Sequence, residues 1–478
     1  MGNWYFRLGL KLCSLVVFMI ILGFLLLLAV YGLPTAPMEK NLAESAEVFL
    51  WEGSYPVTDI LGTDSRLDNY TDALMLLTAA YPGDESLTDR ALKAYRYTTA
   101  ANEDPVLALT AHYIDGKEVE PVFYERYWHG YLIMLKPLLL LFDYSEIRLV
   151  NLAYTALSLF CLMILMYRVG LGRYIPALAL CLLAVDISAI VRSLQYSSML
   201  HLSVLASMLL MSMYERLRKN RAELLLFFTW IGCAASFLDL LTWPLASFGI
   251  PACLMICKDR RKGRDTLLLL ICCLGTWLMG YGAMWAGKWL LLTAFGDAEA
   301  IKSALTIAFF RSSMADEAGY AFRYLDVLRL NLGHLVSPAG AAALAYILFV
   351  MLLGLKSPGA GRNRTPGRWP GLLLLAALPL LWYKLMGNHS YVHHWFTYRE
   401  MAVSVFALLC MATPPYLVKK KEMVESEIQD CQRYEIKGQP EGEKINEENH
   451  KERSALYILP ACRPAYFPLE GDQGLRKH

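Results

Sequence analysis

The sequence predicts an all-α integral membrane protein of about ten transmembrane helices with a long first extracytoplasmic loop, and three observations carry that prediction. Of the 478 residues, 56% are hydrophobic and 18% charged, with a mean hydropathy of +0.36. That balance leaves too little polar surface to cover a soluble globule of this size. Ten apolar runs come close to the roughly 20 residues that cross a bilayer core as a helix. Lys and Arg then collect in alternate connections between the runs, as the positive-inside rule requires. A net charge of +2 provides no global basic field, which argues against nucleic acid as a partner.

The first run, 12–31, follows Arg7 and Lys11. It exceeds the roughly 7–15 residues of a signal-peptide apolar region, and no small-x-small cleavage site follows, so residues 1–31 are expected to be a cytoplasmic N-terminus and a retained span. Residues 32–146 are the expected extracytoplasmic loop. Its part 32–130 holds seventeen Asp and Glu against seven Lys and Arg. Residues 131–142 are apolar but interrupted by Lys136 and Pro137, which suits a helix lying in the interface.

The polytopic domain, 147–418, contains the runs 147–167, 174–191, 197–214, 223–242, 244–257, 266–287, 336–355, 371–386 and 400–418. A second outer loop near 288–335 includes IKSALTIAFFRSSM, whose Ile301, Leu305, Ala308 and Phe309 share one helical face and are expected to lie flat on the outer leaflet. Residues 419–478 are polar, rich in Lys and Glu, and expected to be a disordered cytoplasmic tail. Twenty basic residues fall on one side of this arrangement, against Arg192 and Arg399 in the three short loops opposite, so both termini are expected in the cytoplasm of a multi-pass cell-membrane protein. Trp4, Trp128, Trp243, Trp289, Trp369, Trp382 and Trp395 sit near expected span ends, as interfacial anchors do. Of the eleven cysteines, none falls in an expected outer segment, and no disulfide framework is indicated.

Ionisable residues inside apolar runs are costly and therefore informative. Asp186, His201, Asp239 and Lys384 all map to the outer half of their runs, which describes a wet cavity open to the outer leaflet rather than a relay through the midplane. In the first loop, Asp64, Asp68 and Asp72 recur at i,i+4 and would share a helical face, where mutual repulsion makes a general base or a ligand set. The plainer alternative is that Asp68 caps a helix running to Ala80, with Asp64 and Asp72 solvated. Arg126, Trp128 and His129 place a cation, an aromatic plane and an imidazole at headgroup level, a set suited to a phosphate bearing a sugar or to an aromatic belt.

The last outer loop gathers Lys384, His389, His393, His394, Tyr398 and Arg399, and Arg192, Gln195 and Tyr196 form a third polar cluster on the same side. His389 and His393 have metal-ligand spacing but no defined carboxylate partner, so an anionic headgroup explains them with fewer demands and no metal ligand is assigned. Asn69-Tyr70-Thr71 and Asn388-His389-Ser390 match the glycan-acceptor sequon.

From residue 1 to about 418 this organisation resembles the GT-C superfamily of polytopic membrane glycosyltransferases, by architecture, with motif support from the loop carboxylates. The resemblance implies transfer of a sugar from a polyprenyl-phosphate donor in the membrane to an acceptor at the outer face, in the building of a cell-envelope polysaccharide. Asp68, then Asp64 or Asp72, would be the catalytic carboxylate. Arg126, Arg192, Lys384 and Arg399 would be the available cations for the departing prenyl phosphate. A divalent cation, Mg or Mn, between the acids stays open as a cofactor. The sequence departs from the pattern in having no acidic pair directly after the first span, the nearest adjacent pair being Asp84-Glu85 in a turn-like YPGDES. A lipid or polysaccharide transporter and a non-catalytic membrane assembly partner are the alternatives, the former weakened by the lack of an internal repeat.

Overall fold

The computed structural model describes residues 2–58, 65–100, 103–259, 263–356 and 368–413. Asp64, the expected tail and the end of the last expected span lie outside the described residues. All described residues belong to one compact unit, Met1–Pro415.

The chain opens with α1 (Gly2–Tyr31). The loop region that follows is ordered as α2 (Ala36–Glu52), β1 (Val57–Thr58), β2 (Ser65–Arg66), α3 (Asn69–Ala80), α4 (Leu87–Lys93), β3 (Tyr95–Thr98), α5 (Pro105–Tyr113), β4 (Glu120–Phe123) and α6 (Leu132–Leu139). Then come α7 (Tyr144–Arg168), α8 (Ile175–Ala184), α9 (Ile187–Ile190), α10 (Leu194–Ser212), α11 (Tyr214–Lys219), α12 (Arg221–Leu238), α13 (Leu245–Lys258), α14 (Gly263–Ala294) and α15 (Ala300–Arg311). The last helices are α16 (Tyr324–Gly333), α17 (Pro338–Lys356), α18 (Trp369–Leu385), α19 (Gly387–Val392), α20 (His394–Thr397) and α21 (Ala402–Ala412). The strands make two small antiparallel pairs, β1 with β2 and β3 with β4, the latter aligning Tyr95 with Phe123.

Among the described residues six helical stretches are long and apolar enough to cross a membrane: Trp4–Tyr31, Tyr144–Arg168, Leu194–Ser212, Arg221–Leu238, Gly263–Ala294 and His394–Ala412. The pair Tyr324–Gly333 and Pro338–Val350, bent by 92°, makes a seventh if counted as one span. Three shorter apolar helices, Gly172–Ala184, Leu245–Lys258 and Trp369–Leu385, fall at three of the other expected runs.

The expected run 174–191 is not continuous. It ends as α8 at Ala184, and Asp186 adopts φ 56° and caps α9 through the backbone N–H of Ala189. Asp239 likewise ends α12 and accepts from the backbone N–H and hydroxyl of Thr242 before α13 begins. Both acids thus sit at helix breaks, where they satisfy backbone donors that hydrocarbon cannot. This accounts for the two carboxylates without invoking a wet cavity.

Two buried cores organise the helices. The larger joins α8, α10, α12, α13, α18 and α21, and the second ties α1 to α2, α3, α6 and α7. At the α12–α14 crossing the backbones nearly touch: a Cβ on Gly232 would lie 2.1 Å from the Trp277 carbonyl oxygen, and one on Gly280 2.3 Å from that of Thr229. Only glycine permits that approach.

Two fully buried lysines fasten the loop region, Lys136 from one of its helices to another and Lys288 from the long apolar helix α14. Lys136 of α6 donates to the Ala79 carbonyl at 2.6 Å, and Lys288 of α14 to the Leu92 carbonyl at 2.5 Å. Each acceptor belongs to the last turn of a loop helix, α3 or α4, where carbonyls lack intrahelical partners and a cation is favourable. Trp128 and Trp243, expected as interfacial anchors, are instead buried and donate their indole N–H to Met284 and Tyr196 carbonyls. In α15, Leu305 and Phe309 are exposed as the amphipathic pattern requires, while Ala300 and Ala304 pack inward.

Candidate functional site

The site forms where the N-terminus of α3 meets the start of α10 and the turn Tyr398–Met401 before α21. Asp68 is the N-cap of α3, with Oδ1 accepting from the Thr71 backbone N–H at 3.0 Å and Oδ2 from the Thr71 hydroxyl at 2.9 Å. It is 2% exposed, and burial, with the Asp72 charge adding to it, pushes its pKa up to about 7 against the lowering effects of the Thr71 donors and Arg399.

Asp72 is also buried, not solvated. It accepts from the backbone N–H groups of Leu194 and Gln195 at 3.0 and 3.1 Å, from Ser193 at 3.3 Å and from the Tyr144 hydroxyl at 2.7 Å. The Ser193, Leu194 and Gln195 donors are the N-terminus of α10 and the Tyr144 hydroxyl comes from α7, so Asp72 joins α3, α7 and α10. The expected shared face of carboxylates therefore does not form from these two: the helix starts only after Asp68, and Asp72 turns toward α10. Asp64 lies outside the described residues.

Arg399, its side chain fully buried, lies within electrostatic reach of Asp68 without an ion pair to it. Its guanidinium carbon is 4.0 Å from the Tyr196 ring centre and 4.9 Å from that of Tyr398. Nη2 donates to Ser65 Oγ at 2.8 Å and Nη1 to the Trp395 carbonyl at 3.2 Å, while Nε has no acceptor among the described residues. No carboxylate hydrogen-bonds the guanidinium among the described residues, so two aromatic faces and neutral oxygens hold a positive charge away from water.

Around this pair stand Tyr55, stacked on Tyr70 at 6.0 Å and edge-on to Trp395 at 5.4 Å, and His393, stacked on Phe396 at 5.2 Å. Gln195 Oε1, His393 Nδ1 and Trp395 Nε1 are buried without partners among the described residues. A buried base, a desolvated cation and aromatic faces with unmatched polar atoms can bind an anionic, partly apolar ligand and move a proton beside it.

Several expected residues lie elsewhere. Trp128 and His129 are structural: the His129 ring bonds the Tyr124 carbonyl at 2.6 Å and Tyr131 Oη at 2.8 Å, and burial holds its pKa near 3, so it stays neutral. Arg126 lies over Tyr124 at 5.1 Å. His394 bonds His334 at 2.9 Å, and Lys384 is exposed against Tyr324 rather than turned toward Arg399. Arg192 is half-buried near Glu52, its Nε given to the Ser188 carbonyl. Among the described residues no three His, Cys, Asp or Glu side chains gather as a metal site.

Both sequon asparagines are buried. Asn69 is bonded to Glu52 and Gly53, and Asn388 to Ala315 and Arg311, which leaves neither amide free for a glycan in the folded chain. Ser65, Tyr55 and Tyr70 belong to the site without a signal in the sequence. Glu400, buried and accepting from the Leu245 backbone N–H at 3.1 Å, had one: a carboxylate beginning an apolar run.

The fold and site define an all-α chain with helices suited to a multi-pass membrane protein and a buried Asp–Arg centre. Compared with known proteins, it matches no family model, no curated protein and no solved structure.

Proposed function

We propose that this protein is a multi-pass membrane glycosyltransferase of the GT-C kind, with about ten spans, both termini in the cytoplasm and the 32–146 region outside. It would move a sugar from a polyprenyl-phosphate donor to an acceptor at the outer face. The observation that carries the reading is a buried carboxylate titrating near neutrality within electrostatic reach of a buried guanidinium held by aromatic rings.

Asp68 accepts the proton of an acceptor hydroxyl as its oxygen attacks the anomeric carbon. The bond from that carbon to the phosphate oxygen breaks, and prenyl phosphate departs with the electron pair. Arg399 supplies the positive charge where negative charge develops. A base with a pKa close to the working pH combines a populated carboxylate with useful proton affinity. Tyr55, Tyr70 and Trp395 offer faces for the sugar ring, with Gln195 and His393 as polar contacts.

The test is sugar transfer in membranes from a panel of polyprenyl-phosphate sugars, with the amount of folded protein matched. Asp68→Asn should lower turnover by roughly 10²–10⁴ with donor retention preserved, while Arg399→Gln should weaken donor retention as well. Wild-type turnover in Asp68→Asn removes Asp68 from the chemistry and the proposal with it.

A further inference from the structure

Away from Asp68, a cavity of about 230 Å³ opens where α11, α12 and the first turns of α14 meet. It is too small for a drug-sized ligand, whose pockets start at roughly 300 Å³, yet holds several times the ~30 Å³ of one water. Its walls are leucines, of which Leu268 is half-exposed on the flank of α14, and its polar groups are Arg218, Arg221 and Asp265. Both α12 and α14 are long and apolar enough to cross a membrane, and the cavity lies at their N-terminal ends, where basic residues cluster.

Two of the charges that line the cavity, Arg221 and Asp265, are not bonded to each other among the described residues. Arg218 is paired with Glu215 at 3.0 Å. Arg221 spends one N–H on Cys272 Sγ at 3.0 Å, a weak acceptor, and no carboxylate bonds its guanidinium among the described residues. Asp265, in the first turn of α14, brings a negative charge to the same cavity. A ligand that matches these groups carries one anion for Arg221 and one hydrogen-bonding cation for Asp265, with an apolar body beside Leu268.

We propose that this cavity binds a membrane phospholipid whose headgroup is a phosphodiester bearing a primary ammonium. The phosphate sits on Arg221, the ammonium donates to Asp265, and the acyl chains run along the leucine flank. A purely anionic headgroup would set Asp265 against like charge, and a quaternary ammonium has no N–H to give it. The assignment is independent of the transferase reading, because it concerns the opposite end of α12 from Asp239 and uses none of the residues around Asp68.

The full chain, purified in detergent and delipidated, is exchanged into an equimolar mixture of phosphatidylethanolamine, phosphatidylglycerol and phosphatidylcholine, and retained lipid is quantified by native mass spectrometry. Phosphatidylethanolamine should be enriched about tenfold over the others, the scale of one charge-assisted contact. Arg221→Gln should abolish the enrichment, and Asp265→Asn should reverse it toward phosphatidylglycerol, a change of preference that misfolding does not produce. Wild-type preference for phosphatidylglycerol, unchanged retention in both variants, or full displacement by soluble O-phosphoethanolamine or inorganic phosphate would each overturn the proposal.

Discussion

Two carboxylates four residues apart in α3 and its cap have opposite jobs, and their surroundings separate them. Asp68 carries a raised pKa because burial outweighs its donors, so its carboxylate form, the one that accepts a proton, becomes the majority form above about 7. The pH profile of kcat/KM for sugar transfer should therefore rise through an acid limb near 7 and flatten above it. In Arg399→Gln, which removes a charge that lowers the Asp68 pKa, the limb should move upward. The same shift bears on stability. The folded pKa lies above the unfolded value of about 3.9, so ionising Asp68 costs stability as pH climbs from that value to about 7. Thermal unfolding against pH should show wild type losing ground to Asp68→Asn across that window. Asp72 behaves otherwise: Asp72→Ala orphans two buried N–H groups and two hydroxyls, and should lower stability by about 2–4 kcal/mol as read by unfolding in detergent, whereas Asp72→Asn keeps an acceptor and loses less. The i,i+4 spacing made both aspartates visible in the sequence. It could not show that they part company, because capping starts the helix at Asn69 and sends Asp72 toward a helix more than a hundred residues away in the chain. Arg399 was legible as a cation in a short loop, but its two aromatic faces come from α10 and its own turn, which only packing brings together.

At the scale of elements, apolar runs located the helices well and their interruptions poorly. Hydropathy averages over a break that one residue makes, so the run 174–191 hides the helix break at Asp186, and the run 223–242 hides the end of α12 at Leu238 and the cap made by Asp239. Buried lysines mislead in the same way. Lys136 marked α6 as interfacial, and Lys288 fell at the edge of a run, yet each is a fastener whose partner is a carbonyl and so leaves no side-chain signature. Lys288→Ala removes a cation from the last turn of α4 and opens a void beside Trp128. It should cost about 2 kcal/mol, seen as faster limited proteolysis within 81–130 while the membrane core stays intact. The α12–α14 crossing tests the opposite limit. Gly280→Val places methyls inside the Thr229 carbonyl's radius, and backbone cannot yield as a side chain does. That variant should lose most of its monodisperse folded fraction in size-exclusion chromatography, whereas Gly282→Val, at a position with open space, should not.

For the molecule as a whole, the loop region and the membrane helices share one core, since α1 packs against α2, α3 and α6 through residues such as Leu27, Tyr31, Phe49 and Leu132. A shared core makes the sidedness of the loop decisive for the proposed transfer: Asp68 would meet a polyprenyl-phosphate sugar only on the face to which 32–146 is delivered. In the ten-span arrangement expected from the sequence, twenty Lys and Arg in the alternate connections would oppose inward-to-outward transfer of those connections, and the loop part 32–130, with seventeen acids to seven bases, would meet no such barrier. Two exposed positions read out the result. Asp115→Cys, in the loop region, should react with a membrane-impermeant maleimide in intact cells. Lys219→Cys, among the basic residues before α12, should react only after the membrane is opened. The reverse pattern would put Asp68 and Arg399 on the cytoplasmic side, where a base and a cation could still act together but on a donor presented from the other leaflet, and the direction of transfer proposed for this protein would be lost.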